Sequence, residues 1–135
     1  MLELYETNFE LKNLEHAIAL IEIVLEQYWN EDVGGLYSTS KNAEKLIIRP
    51  ISSFDNAVPS GNSVAAFVLM RLARLLERDE WEDKAADIFQ AFQNILQRTP
   101  TAHTQMSQAM QFVNDTSFEV VVAGDPYADD TKHML

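Results

Sequence analysis

The residues best suited to chemistry cluster between Arg49 and Ser63. The run Asp55-Asn56-Ala57-Val58-Pro59-Ser60-Gly61-Asn62-Ser63 follows Arg49-Pro50 and leads into an apolar stretch that begins at Val64. A carboxylate, a guanidinium and two amides thus precede what reads as a buried helix. A helix N-terminus offers unpaired N–H groups and a partial positive charge. Arg49, Ser60 and Asn62 are therefore candidates for holding a polyhydroxylated or anionic ligand. Asp55 is the candidate catalytic residue, a general acid or base if burial raises its pKa. Tyr37 joins the substrate-binding set: with Trp29 it flanks Gly34-Gly35, where an aromatic could stack on a sugar ring. A structural reading stands beside each assignment. Ser60 or Asn62 could cap the helix, Gly61 could supply an unusual backbone angle, and Asp55 could pair with Arg49 or accept loop N–H groups. Trp29 and Tyr37 could be core. Glycoside hydrolysis normally needs two placed carboxylates, and this loop offers only Asp55.

No other segment competes with this loop. The three histidines, His16, His103 and His133, are far apart and lack metal-ligand spacing. There is no cysteine, so thiolate zinc sites, disulfides and cysteine nucleophiles are excluded. No phosphate loop, nucleophile elbow or calcium loop occurs, and the expectation is no metal and no cofactor. Met70, Met106 and Met110 read as core filler. The net charge of −11 repels a phosphate backbone, which argues against a nucleic-acid partner. No apolar run approaches the roughly 20 residues of a membrane span, and no signal peptide is visible. A cytoplasmic protein with no membrane partner is expected.

The elements that must position the loop are mostly helices. Leu2, Leu4 and Tyr5 read as a helix tail, and Thr7 to Phe9 as a turn. Leu11, Leu14, Ile18, Ile21, Leu25 and Tyr28 then step by three and four, the signature of an amphipathic helix. The cluster 30–35 ends it. A short β-hairpin is expected near 36–49, from Leu36–Ser38 and Leu46–Ile48, with Pro50 as its stop. Residues 50–61 read as an ordered loop anchored by Ile51, Phe54 and Val58. A helix apolar nearly all round follows over 62–78. An amphipathic one covers 80–97, with Trp81, Ala85, Ile88, Phe92 and Ile95 inward, and Pro100 ends it. Another runs over 103–114, with Met106, Ala109, Met110 and Val113 inward. Phe118 to Ala123 reads as a short strand. The division is a helical domain over 1–124 and a polar tail over 125–135.

A weak repeat of about 70 residues relates Leu4-Tyr5-Glu6 to Leu75-Leu76-Glu77, each followed by a turn and an amphipathic helix. Such units stack and bury each other's faces. Alternating all-apolar and amphipathic helices fit a double ring, with 30–62 as a connection on one end.

The run RPISSFDNAVPSGNSVAAFVLMRLARL resembles the C-terminal part of the bacterial YyaL and animal spermatogenesis-associated protein 20 family. So do Gly34-Gly35-Leu36-Tyr37 and Val120 through Pro126. The resemblance implies a mainly α fold, part of an α/α toroid of the six-hairpin glycosidase-like class. The family's thioredoxin-like domain has no counterpart here, so no redox activity is implied. About four helices and part of a fifth fall short of six hairpins, and both ends read as cut. Carbohydrate chemistry is implied by fold analogy alone. Two readings follow. One is a carbohydrate-active or carbohydrate-binding domain with its site in the 49–63 loop. The other is a non-catalytic module whose uncovered inner faces, such as Phe67, Leu69 and Met70, are covered in a homodimer.

Overall fold

The computed structural model describes residues 1–44, 48–116, 118, 120–125 and 127–134. Its elements are α1 (Leu2–Asn8), α2 (Leu11–Tyr28), β1 (Trp29–Asn30), β2 (Gly35–Leu36), α3 (Gly61–Leu76), α4 (Asp79–Arg98), α5 (Thr104–Asn114) and α6 (Asp129–Met134). A single 3₁₀ turn, Pro100–Ala102, separates α4 from α5. The chain is mainly helical, with a small antiparallel hairpin among the described residues.

Two tight corners organise the helices. Phe9 adopts a left-handed conformation (φ 53°), and its N–H returns to the Tyr5 carbonyl at 2.7 Å. Glu77 does the same at the end of α3 (φ 52°), with its N–H on the Ala73 carbonyl. Neither is glycine, so each corner carries a steric cost of about 1–2 kcal/mol that surrounding packing must offset. At the first corner, Asn8 Oδ1 accepts the Glu10 N–H at 3.0 Å and the amide of Asn13 at 3.1 Å. The corners lie 68 residues apart and each opens an amphipathic helix. The repeat read from the sequence is thus a repeat of corner and helix.

Helix α3 is the centre. It packs against α4 and α5, and its Ala66, Leu69, Met70 and Leu72 are closed to solvent together with Ile88 of α4 and Met106 of α5. Leu69 and Met70, expected as uncovered inner-face residues, are instead closed to solvent within the chain. Burial on α2 follows Leu14, Ala17 and Ile21, while Leu11 at its start is exposed. On α4, Leu96 is inward and Ile95 outward.

The hairpin sits one element earlier than the sequence pattern suggests. Trp29 pairs with Leu36 and Asn30 with Gly35. The residues expected to end α2 supply the first strand. Its turn is set by Asn30, whose side chain accepts the N–H groups of Asp32 and Val33, and by Gly34 at φ 74°. A Cβ on Gly34 would stand 3.0 Å from Asp87 Cβ, so the turn lies directly on α4. Beyond the hairpin, Tyr37 makes an isolated bridge to Ile51. Leu46 and Ile47 of the expected second strand lie outside the described residues, and Ile48 is exposed. In the loop that follows, Val58 is exposed and anchors nothing; the buried residue is Ser53.

The expected strand at 118–123 is absent among the described residues. Phe118, Val120 and Val121 are more than four-fifths exposed, with no ladder partner to stabilise a strand. Within the polar tail lies α6, which buries Thr131.

Candidate functional site

The 49–63 loop is held by its own polar side chains. Ser60 is the N-cap of α3: its Oγ accepts the Ser63 N–H at 3.0 Å and lies 2.8 Å from Ser63 Oγ. Asn62, 2% exposed, uses its whole amide internally. Its Oδ1 accepts the Leu36 N–H at 2.6 Å, and its Nδ2 donates to the carbonyls of Leu36 and Ser52, both at 2.9 Å. Asn62 therefore completes the outer edge of β2 as another strand would, and pins hairpin and loop to α3.

Asp55 performs a similar task at longer range. One carboxylate oxygen accepts the Ser60 N–H at 2.8 Å, and the other accepts the N–H groups of Gln105 and Met106 at 2.9 and 3.3 Å. These last two are unpaired donors of the first turn of α5. Burial pushes the Asp55 carboxyl up, but the donors from Ser60, Ser63, Met106 and Gln105 outweigh it and hold the group below its ordinary value. A carboxylate so held stays ionised at neutral pH, the opposite of what a general acid needs. The other end of α5 carries the complementary charge. Arg74 donates to the carbonyls of Phe112 and Val113 at 3.0 and 2.9 Å. An anion at the N-terminus and a cation at the C-terminus both suit the helix dipole.

Arg49 does not pair with Asp55. Its guanidinium donates to the Thr39 carbonyl and lies 3.8 Å over the Tyr37 ring. That covers one face of the aromatic proposed for stacking. His103, read from spacing only as an isolated histidine, is 1% exposed. Its Nδ1 donates to the Ser53 carbonyl at 2.6 Å. The contact spans 50 residues, so no local spacing could have revealed it.

The five candidates fall into separate places. Asp55 and Ser60 belong to one network joining α3 and α5. Arg49 stands with Thr39 and Tyr37. Tyr37 and Asn62 lie on the wall of a groove of about 540 Å³ between α2 and α3. Its remaining wall is chiefly apolar, from Leu20, Val24, Tyr28, Val64 and Val68, and no carboxylate lines it among the described residues. Met1, Leu20 and Val64 on the rim are exposed. No group of three metal-ligating side chains occurs among the described residues. No helix there is long and apolar enough to cross a membrane.

No family model matches the chain, and no solved structure matches it. Curated relatives do. The chain is 35% identical to spermatogenesis-associated protein 20 of Rattus norvegicus and 32% identical to that of Homo sapiens, in both cases over its full length and 17% of the relative. It is 30% identical to an uncharacterized protein of Caenorhabditis elegans, over 96% of the chain and 17% of that protein. The chain thus spans about one sixth of the length of the curated relatives it matches.

Proposed function

We propose that this chain, homologous along its whole length to one segment of spermatogenesis-associated protein 20, is a non-catalytic helical packing module that self-associates as a homodimer. One observation carries the reading. The polar side chains suited to chemistry are engaged in internal bonds, while the groove between α2 and α3 is apolar and open at its rim. A surface of that kind favours burial against another apolar face over recognition of a polar substrate. We read the two corner-and-helix units as an arc of an α/α toroid in a cytoplasmic protein; the repeat of Phe9 and Glu77 supports that architecture. Sedimentation equilibrium at micromolar concentration tests the function. A dimer is expected, and a monodisperse monomer overturns it.

A second reading is a carbohydrate-active or carbohydrate-binding domain with its site at 49–63. It is favoured by Tyr37 on the groove wall. Against it stands a groove that no carboxylate lines among the described residues, since glycoside hydrolysis normally needs two. Titration calorimetry with neutral mono- and disaccharides separates the readings: millimolar or tighter binding that Tyr37→Ala abolishes would favour this one.

A further inference from the structure

We infer that the groove between α2 and α3 is a binding site for a neutral, single-chain amphiphile, which competes there with the second copy. The competition rests on the self-association proposed above; the site itself does not. Three observations lead there.

The first is shape. Ala17, Leu20, Ile21, Val24 and Tyr28 line one wall, a single face of α2. Gly61, Val64, Ala65 and Val68 line the other. From the helical rise, α2 supplies about 16 Å of wall and α3 about 10 Å. The trough they form holds about 540 Å³, within the roughly 300–1,000 Å³ of small-molecule sites.

The second is the division of the walls. Polar side chains gather at one end. The Asn62 amide donates to the Leu36 and Ser52 carbonyls, and the Tyr37 N–H to the carbonyl of Tyr28, the last residue of α2. Tyr37, Ser38 and Ser52 therefore meet the end of α2 and the first turn of α3. At the far end α1 closes the trough, held there by the pairing of Arg71 with Glu3 and Glu6. The wall at that end is Leu2, Ala17, Ile21 and Val68, with no polar side chain. A molecule that matches has one small polar head on an apolar body. The backbone at the polar end is already engaged: the Leu36 N–H and carbonyl bond Asn62, and the Ser38 N–H bonds the Pro50 carbonyl. The head is left the hydroxyls of Tyr37, Ser38 and Ser52, a group type that both gives and takes hydrogen bonds. Ser52 Oγ accepts the Phe54 N–H at 3.1 Å and keeps its own proton to donate.

The third is charge. No Asp, Glu, Lys or Arg side chain lines the trough among the described residues, although these make up 23% of the chain. An ionic head would lose its water there with no counter-charge in return. An anionic one would also approach a chain of net charge −11. Arg49 is engaged by the Thr39 carbonyl and the Tyr37 ring. The head is therefore neutral, a hydroxyl or an amide. The rim it passes, at Leu20 and Val64, is the apolar surface offered to the second copy, so the two occupants exclude each other.

The probe is n-octanol, titrated below its solubility limit into the isotope-labelled wild-type chain. Backbone amide shifts at Val24, Ala65 and Val68 are expected to saturate with a Kd below about 1 mM, while that of Ala109, buried on α5, stays still. Octanoate should bind at least about tenfold more weakly. Val24→Gln should weaken octanol binding about tenfold, the value of one buried apolar side chain. Val64→Gln, at a position 42% exposed, repeats the test with less risk to folding, and circular dichroism checks both variants. In sedimentation, saturating n-octanol should shift the wild type from dimer to monomer. Shifts that never saturate or that spread to Ala109, octanoate binding as tight as that of octanol, or folded variants that bind octanol as the wild type does overturn the site. Saturable binding that leaves the dimer intact overturns the competition alone. A wild type that is monomeric without octanol removes self-association and the competition with it, and the titration still decides the site.

Discussion

On one side of α3, the loop at 49–63 and helix α5 are joined by directed bonds over long sequence distances: Asp55 to Gln105 and Met106, Arg74 to Phe112 and Val113, His103 to Ser53. On the other side, α2 meets α3 across an apolar groove whose rim is exposed. The first region spends its polar residues on fixing geometry. The second keeps apolar surface uncommitted. A dense polar segment is therefore a poor guide to a binding site here, because satisfied polar groups are structural cement. The free surface lies where the sequence looks least reactive.

That contrast can be broken by substitution. The largest effect should come from Asn62→Ala. It leaves the Leu36 N–H and two carbonyls unpaired beside the core, at a cost of about 2–4 kcal/mol. Urea denaturation measures it; a loss below about 0.5 kcal/mol would mean that the amide does not hold the hairpin. Asp55→Asn should cost less, about 1–2 kcal/mol, typical of a lost helix-end acceptor. It also carries a pH signature. The folded-state pKa of Asp55 lies below its unfolded value. Its contribution is thus fully present above the ordinary carboxylate pKa of about 3.9 and is lost as pH falls through the lower folded value. The wild type should lose this increment on acidification, and the variant should lack it; parallel acid limbs would refute the assignment. The smallest effect on stability belongs to Leu20→Ser on the groove rim. It should stay within about 0.5 kcal/mol while shifting the sedimentation profile toward monomer. A large loss of stability there would erase the distinction between the two regions.

The helices were legible because their apolar residues follow a period that burial enforces. Leu14 and Ile21 on α2, and Trp81, Ala85 and Ile88 on α4, are inward as the stripes require. Ends were less legible. Leu11 fits the stripe but is the first residue of α2 and is exposed, and Trp29–Asn30, where the α2 pattern was fading, unwinds into a strand because Leu36 and Gly35 are available to pair with it. The segment 118–123 has β-branched composition but no ladder partner among the described residues, and composition alone forms no ladder. Site residues were legible as a cluster but not as roles. Ser60 is a cap, a local bond that spacing predicts. Asn62 bonds a residue 26 positions upstream and Asp55 one 50 positions downstream. Bonds at that range follow from the folded path, not from neighbours in the chain.

The two left-handed corners set where this chain can change length. At Phe9 and Glu77 a helix ends and the next begins almost at once. One residue inserted in the helix that follows would turn everything beyond it by about 100° and carry its apolar stripe off the core. A deletion does the same in the other sense. Between Ser40 and Glu44 no helix begins, and the flanks are fixed independently by the Tyr37–Ile51 bridge and by Asn62. Doubling that stretch costs only about 0.6 kcal/mol of closure entropy. Insertions, tags and cleavable sequences belong there, and the corners are where the repeat keeps its count.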